Sequence, residues 1–348
     1  MPELFDPLQL GDLTLPNRII MAPLTRCRAS AGRVPNELIA EYYVQRASAG
    51  LILSEGVVVT PKGVGYPDTP GLWDAAQVAG WKRVTDAVHK AGGRIFAQLW
   101  HVGRISDPIY LDGDLPVAPS AIAPAGHVNL VRPVKSFVTP RALETAEIPA
   151  IVAAFGQGAA NARAAGFDGV EIHAANGYLI DQFLQDGTNT RTDAYGGPIE
   201  NRARLLLEVT DAAIGVWGAG RVGVHLAPRS DSHTMSDSNP AATFGYVARE
   251  LGKRQIAFIF AREVQGPGLL GPELKKAFGG VFIANQGLTG ATAQQVLDTY
   301  ADAAAFGVPF IANPDLVARL KQNAPLNEPR FDLFYGGGAE GYTDYPGL

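Results

Sequence analysis

Val170-Glu171-Ile172-His173-Ala174-Ala175-Asn176-Gly177-Tyr178-Leu179-Ile180-Asp181-Gln182-Phe183 combines a buried strand, a break and the start of a helix. Residues 168–172 carry the β-branched side chains of a buried strand, and Asn176-Gly177 is a strong turn signal. At the break the chain presents an imidazole, a carboxamide and a phenol, from His173, Asn176 and Tyr178. Two hydrogen-bond donors on one oxygen, with an acid nearby, would polarise an unsaturated carbonyl compound and protonate it.

Similar apolar strands, each followed by a helix or a loop, recur along the chain. We predict strands at residues 18–22, 51–55, 94–100, 168–172, 221–226, 256–261, 280–284 and 301–306. We predict helices at residues 36–49, 76–91, 147–165, 199–217, 240–253, 292–299 and 313–322. Regular alternation with continuous apolar strands indicates parallel strands buried on both faces, and eight such units close into a (β/α)₈ TIM barrel.

The competing α/β fold is a doubly wound open sheet. That fold would place a Gly-rich turn after the first strand when it binds a dinucleotide, whereas residues 22–26 read Ala-Pro-Leu-Thr-Arg. Two additions to the barrel are expected: an N-terminal β-hairpin around Gly11-Asp12 that acts as a lid over one end, and a long Pro-rich excursion from His101 to Thr145 after strand three. Because no linker or charge run marks a boundary, we expect one domain over residues 1–348.

Composition excludes several classes of protein. The chain has 348 residues, 47% of them hydrophobic, and a net charge of −5 with mixed signs, which argues against nucleic acid and anionic membranes as partners. No apolar run is long enough to span a bilayer, and residues 1–6 lack the features of a signal peptide. A single cysteine, Cys27, excludes an internal disulfide and a protein-held iron–sulfur cluster. We expect a cytoplasmic enzyme, monomeric or homo-oligomeric.

In a barrel the chemistry lies at the carboxyl ends of the strands. These ends look neutral, polar and aromatic, which argues against the paired carboxylates of a glycosidase and the strand-end lysine of an aldolase. His101, His173 and His225 follow three successive strands, so a zinc-dependent hydrolase stays open as an alternative. Against it, strand one lacks His-x-His and no strand-end aspartate is evident.

Several longer motifs occur in a fixed order along the chain. They are Leu4-Phe5-Asp6-Pro7-Leu8, Pro16-Asn17-Arg18, Met21-Ala22-Pro23-Leu24-Thr25-Arg26, Glu41-Tyr42-Tyr43, residues 97–104 (AQLWHVGR), residues 189–197 (NTRTDAYGG), Glu200-Asn201-Arg202, residues 310–316 (FIANPDL) and residues 335–346 (YGGGAEGYTDYP). Through these motifs the sequence resembles, nearly end to end, the Old Yellow Enzyme family of flavin-dependent ene-reductases.

The resemblance implies a barrel that holds non-covalent FMN at its C-terminal mouth. NADPH or NADH would reduce the flavin, and an α,β-unsaturated carbonyl compound, nitroalkene or maleimide would then bind in the same place. Hydride would pass from flavin N5 to the β-carbon of the alkene, and a proton would reach the α-carbon. His173 and Asn176 would hold the substrate oxygen, and Tyr178 would donate the proton. No metal is implied.

The resemblance also implies the residues that bind the cofactor. Thr25 would donate to flavin O4, Gln98 would pair with the pyrimidine edge, and the backbones of Pro23 and Gly56 would line the ring. The full expected cofactor set is Pro23, Leu24, Thr25, Gly56, Gln98, His225, Asn285, Gln286, Gly307 and Val308. Tyr66, Trp100 and Tyr335 would shape the substrate pocket.

The sequence departs from the family pattern at two positions. His225 stands where the family usually has an arginine beside flavin N1 and O2, and Val308 stands where it usually has a basic residue on the phosphate. Each lost charge-assisted contact could cost about 1.5–3 kcal/mol, which together would weaken FMN by about two to four powers of ten. Backbone N–H groups at residues 285–287 and at Gly307 could still bind the phosphate.

These losses leave two further expectations open. A protonated His225 could partly replace the arginine, which predicts an FMN affinity that depends on pH near neutrality, although His225 could equally be an ordinary buried histidine. The alternative function is a barrel that no longer carries flavin and acts as a ligand-binding protein.

Overall fold

The computed structural model describes residues 2–348. Its strands are β1 (Leu8–Leu10), β2 (Leu13–Leu15), β3 (Ile19–Met21), β4 (Leu51–Val58), β5 (Ile95–Trp100), β6 (Val117–Ala118), β7 (Arg141–Ala142), β8 (Gly169–Ala174), β9 (Val222–Leu226), β10 (Phe258–Arg262), β11 (Val281–Asn285) and β12 (Ala303–Phe306). Strands β3, β4, β5, β8, β9, β10, β11 and β12 pair in parallel, in that order, and β12 pairs with β3 to close the barrel. The predicted (β/α)₈ barrel is confirmed.

The α-helices are α1 (Glu37–Val44), α2 (Ala75–Lys90), α3 (Ile148–Ala164), α4 (Leu179–Leu184), α5 (Ile199–Arg202), α6 (Arg204–Trp217), α7 (Pro240–Lys253), α8 (Gly271–Phe278), α9 (Gly290–Thr299), α10 (Val308–Ala312) and α11 (Leu316–Gln322). Local sequence fixes several of their starts. Asp74 and Gln77 form a reciprocal capping box at the start of α2, and Thr289 and Thr292 do the same for α9. None of the described helices has the length and apolar character needed to cross a bilayer.

The helix predictions need correction at three places, one of which is the short helix α10, which was not predicted. The single helix expected over residues 199–217 is two helices, α5 and α6, that meet at Ala203. Helix α8 was not predicted, because Gly and Pro crowd the segment before it and interrupt the helical period.

The hairpin β1–β2 covers the N-terminal end of the barrel, as expected. Leu8, Leu10 and Leu15 are buried with interior barrel residues such as Phe96 and Phe258. Gly11 makes the turn with φ +56°, and a Cβ there would lie 2.0 Å from the carbonyl oxygen of Gly220. Only glycine allows this close approach, so the hairpin is seated against the loop before β9.

The excursion after β5 contains little regular structure. It forms one short turn of helix at Pro108–Tyr110 and the two-residue parallel pair of β6 with β7. Arg104 Nη1 donates to the Ile122 carbonyl (2.9 Å), and its Nη2 donates to the His233 carbonyl (3.0 Å). The excursion is therefore tied to the loop after β9, beside the C-terminal mouth.

Candidate active site

A cavity of about 670 Å³ opens at the carboxyl ends of the barrel strands. This volume suits a cofactor-sized ligand. The cavity is lined by residues from every quarter of the barrel: Ala22, Pro23, Leu24, Thr25, Tyr66, Gln98, Trp100, His173, Asn176, Tyr178, His225, Ser232, His233, Phe260, Arg262, Asn285, Gln286, Gly287, Leu288, Ala305, Phe306, Gly307, Val308, Pro309 and Tyr335.

This lining contains every expected site residue except Gly56. Gly56 lies within β4, and a Cβ on it would come within 2.5 Å of the Trp100 ring. The glycine thus leaves room for Trp100, whose ring packs against Tyr66 and Tyr178 with centroids 5.4 and 5.0 Å apart. The expected backbone contact between Gly56 and the flavin stays a prediction.

The break after β8 positions the three polar side chains noted in the sequence. Asn176 and Gly177 adopt φ +58° and +80°, and the Gly177 N–H donates to the Asp181 carboxyl group (2.8 Å). Gln182 Nε2 donates to the Gly177 carbonyl (2.8 Å). The first turn of α4 therefore holds the reversed backbone, and Tyr178 turns back towards His173, with ring centroids 5.1 Å apart.

Tyr178 is paired with a second phenol. Its hydroxyl lies 2.7 Å from that of Tyr66, and both residues are less than 10% exposed. Burial raises the pKa of both phenols well above the ordinary value of 10. Tyr178 is therefore a neutral proton donor at any physiological pH.

His173 and His225 stack on each other with ring centroids 5.0 Å apart. Burial, and then the positive charge of Arg262, lowers the pKa of His173 to about 3. Burial lowers the pKa of His225 well below 6.5, and the neighbouring His173 and Arg262 lower it further. Burial thus favours neutral imidazoles at both positions, which argues against a protonated His225 in place of the family arginine.

Hydrogen bonds among Gln98, Glu171 and His225 leave one free donor beside one free acceptor. Gln98 Nε2 donates to the Glu171 carboxyl group (2.7 Å) and lies 3.1 Å from Nδ1 of His225, so Nε2 of His225 carries the proton. That Nε2–H is buried without a partner in residues 2–348, and Gln98 Oε1 accepts no hydrogen bond from them. A free N–H donor next to a free acceptor matches the carbonyl and N–H of a flavin pyrimidine edge.

Glu171 lies beneath Gln98 and is completely buried. Burial raises the pKa of its carboxyl group to about 8, although the hydrogen bond from Gln98 opposes the shift. Its carboxyl oxygen lies 3.9 Å from His225 Nδ1, but this is not an ion pair, because burial keeps both groups uncharged at neutral pH.

Elsewhere on the cavity wall, the loops after β11 and β12 offer backbone N–H donors. The N–H groups of Gly287, Leu288 and Gly307 make no hydrogen bond to another group in residues 2–348. Gln286 and Gly287 have positive φ, and Asn285 Nδ2 ties the two loops together through the Ala305 carbonyl (2.9 Å). Such unpaired amides can hold a phosphate, so the residues at both ends of the cavity fit FMN.

Arg262 and His233 line the cavity and were given no role from the sequence. Arg262 closes β10; its Nε donates to Gln286 Oε1 (2.6 Å) and its Nη1 donates to Asn176 Oδ1 (2.9 Å). His233 Nδ1 lies 2.7 Å from the Asn176 carbonyl oxygen. Arg262 could have been found from its position at the end of β10, and its charge shows that the prediction of neutral strand ends is wrong. His233 follows an irregular loop that carries no such signal.

The three histidines of the zinc alternative do not form a ligand set. His101 accepts the Gly103 N–H at Nδ1 (3.1 Å), and burial lowers its pKa to about 4. No group of three potential metal ligands comes together within the described chain.

Comparison with known proteins agrees with this geometry. The sequence model of the NADH:flavin oxidoreductase / NADH oxidase family matches residues 3–327. The chain is 42% identical to 12-oxophytodienoate reductase 1 of Oryza sativa subsp. japonica, over 99% of this chain and 93% of the rice protein. It is 41% identical to flavin oxidoreductase hxnT of Emericella nidulans, over 99% of this chain and 98% of the fungal protein.

Solved structures give the same answer at the level of the fold. Morphinone reductase in complex with tetrahydroNAD superposes with a TM-score of 0.96 at 50% identity, covering 100% of this chain and 98% of that one. The old yellow enzyme homologue from Zymomonas mobilis superposes with a TM-score of 0.97 at 47% identity, covering 100% of both chains. The chain therefore belongs to the Old Yellow Enzyme family of FMN-dependent, NAD(P)H-consuming ene-reductases.

Proposed function

We propose that His173, Asn176 and Tyr178 perform the substrate chemistry of this enzyme, on the carbonyl, nitro or imide oxygen and the α-carbon of an activated alkene. The observation that carries this proposal is the convergence of two uncharged nitrogen donors and a neutral phenol on one side of the cavity. No lining residue within 2–348 is a carboxylate, so negative charge on the substrate meets donors rather than repulsion.

FMN supplies the hydride chemistry, and the chain supplies the site that holds it. His225 Nε2–H and Gln98 Oε1 would bind the pyrimidine edge, Thr25 would approach O4, and the amides of Gly287 and Gly307 would take the phosphate. Pro23, Leu24, Asn285, Gln286 and Val308 complete the expected cofactor contacts that line the cavity. The domain that does this extends over residues 1–348.

The substrate oxygen would be held between His173 and Asn176. Arg262 donates to Asn176 Oδ1, so the Asn176 amide is fixed with its NH₂ group turned away from the arginine. A neutral His173 can donate one N–H hydrogen bond to the same oxygen. Unlike an imidazolium, it carries no extra acidic proton that the substrate oxygen could take up. Donors placed where charge develops stabilise the transition state more than the bound substrate.

Tyr178 would pass its proton to the α-carbon. Tyr66 can donate to the Tyr178 oxygen at 2.7 Å, which leaves the Tyr178 hydrogen free to point at the substrate. The same contact stabilises the phenolate that forms when the proton leaves. Tyr66, Trp100 and Tyr335 would shape the pocket around the alkene.

The cellular setting is also a proposal. The chain has a net charge of −5 with mixed signs, which supports an enzyme without a nucleic-acid partner. Its single cysteine, at position 27, is buried, which supports a cytoplasmic enzyme that takes NADPH or NADH.

The oxygen-holding role predicts how two alanine variants behave. In His173→Ala and Asn176→Ala, oxidation of the NADPH-reduced enzyme by cyclohexenone should slow about 10²–10³-fold, because one donor to the substrate oxygen is lost. The rate of reoxidation by dioxygen should change little, because dioxygen has no carbonyl oxygen for these two residues to hold. Stopped-flow absorbance under anaerobic and aerated conditions gives both rates, and equal slowing with both oxidants would contradict the role.

A further inference from the structure

Arg262 is the one residue with a permanent charge among those that line the cavity in residues 2–348. Its Nε and Nη1 are held at 2.6 and 2.9 Å by the amide oxygens of Gln286 and Asn176. Both acceptors are uncharged, and the nearby Glu263 carboxylate is paired with Arg229 instead. The guanidinium is therefore fixed in position while its charge is not neutralised by any described side chain.

Among the other lining groups of the described chain only three histidines could carry positive charge, and burial lowers the pKa of His233, although its contact with the Asn176 carbonyl oxygen opposes the shift. His173 and His225 stack within the cavity wall, and burial together with Arg262 lowers the pKa of both. Val308, which begins α10 and lines the cavity, carries no charge. The electrostatic potential of the cavity is thus set by a single cation on β10, the sixth strand of the barrel.

With FMN bound in this cavity, acceptance of a hydride would add negative charge to its ring system. A buried charge without a counter-ion is costly, whereas a preorganised cation lowers that cost. We propose that Arg262 supplies, from the sixth barrel strand, the positive charge that stabilises the reduced cofactor in this active site. The inference rests on FMN as the resident cofactor and goes beyond the roles of His173, Asn176 and Tyr178.

The location of the charge accounts for the sequence departure at position 225. His225, on the adjacent strand β9, is uncharged and leaves its Nε2–H as a neutral donor. Arg262 pairs in register with Asn285 of β11, so its side chain starts between the pyrimidine and phosphate sides of the cavity. One cation on β10 takes the place of a charge at position 225.

The test is the midpoint potential of the bound flavin, measured spectrophotometrically against reference dyes with FMN at saturation. In Arg262→Gln the potential should fall by about 30 mV or more, which corresponds to a tenfold loss in binding of reduced relative to oxidised FMN. Arg262→Lys, which keeps the charge, should lose less than half as much. Arg262→Gln combined with His225→Arg should recover part of the fall, because the charge returns on the next strand.

Arg249→Gln is the matched control, because Arg249 is exposed on α7 and lies outside the cavity. Its potential should equal that of the unchanged protein. Arg262→Met offers the same neutralisation if the glutamine variant does not fold. An unchanged potential in the neutral variant, or an equal fall in Arg249→Gln, would overturn the proposal. An unchanged protein that binds no FMN would instead overturn the proposed function.

Discussion

At the scale of single residues, Tyr66 and Tyr178 share one hydrogen bond but are expected to have different roles in catalysis. Both tyrosines line the cavity, but Tyr178 packs next to His173, whereas Tyr66 makes its hydroxyl contact to Tyr178, 2.7 Å away. Burial raises the pKa of both, so neither ionises in the working range. The difference between them is therefore one of position.

This difference predicts graded effects of two phenylalanine variants. Tyr178→Phe should slow oxidation of the reduced enzyme by cyclohexenone about 10²–10⁴-fold, because the general acid is removed. Tyr66→Phe should slow it only about tenfold, since the acid remains and loses one hydrogen bond worth roughly 1–1.5 kcal/mol. Reduction by NADPH should be similar in both, and stopped-flow traces measure each step. A larger effect at Tyr66 than at Tyr178 would reverse the assigned roles.

At the scale of elements, the turn between β8 and α4 determines the geometry of the site. Gly177 has φ +80°, and a Cβ there would lie 2.7 Å from the Ser232 carbonyl oxygen and 2.9 Å from the His233 Cβ. The turn is thus pressed against the loop after β9. Neither strand β8 nor helix α4 alone would bring His173, Asn176 and Tyr178 together.

Gly177→Ala should therefore destabilise the protein and disturb the site. The new methyl group adds a backbone clash to the cost of a left-handed residue, which is about 1–2 kcal/mol by itself. Gly197→Ala is the control, because Gly197 has φ +76° and no atom lies within 4 Å of its Cβ position. Urea unfolding and cyclohexenone turnover should show a greater loss for Gly177→Ala, and equal losses would mean that the close contact is unimportant.

At the scale of the whole molecule, the closed barrel buries a carboxyl group beneath the cofactor site. Burial raises the pKa of Glu171 from 4.5 to about 8. Between those values the folded protein keeps a proton that the unfolded chain has released. Stability is therefore lost as pH rises through this window, by about 1.4 kcal/mol per pH unit from this group.

Glu171→Gln removes the titrating group while keeping an oxygen for Gln98. The free energy of unfolding of the unchanged protein, minus that of the variant, should fall as pH rises from about 5 to 8. Other buried carboxyl groups, such as Asp181 and Glu55, with pKa values raised to about 7 by burial, cancel in this difference. Urea unfolding with saturating FMN at several pH values provides the measurement, and a difference that stays flat would contradict burial of a protonated Glu171.

Much of the fold could be predicted from the sequence, because hydrophobic periodicity and the Gly, Pro and Asn residues of turns are local features. Eight apolar strands and the Asn176-Gly177 break are visible without tertiary information. Helix α8 was missed because Gly and Pro precede it. The roles of Arg262 and His233 depend on contacts with Asn176, which is 86 and 57 residues away along the chain. The neutral state of His225 depends on complete burial, which only the folded barrel shows.

The most direct measurement is the visible absorption spectrum of the purified protein under nitrogen, with NADPH and then cyclohexenone added in sequence. We expect a flavin band that bleaches with NADPH and returns with the enone, because the barrel holds FMN and the mouth holds the alkene. A protein that stays colourless and gains neither the band nor activity from added FMN would contradict the account and favour a ligand-binding barrel.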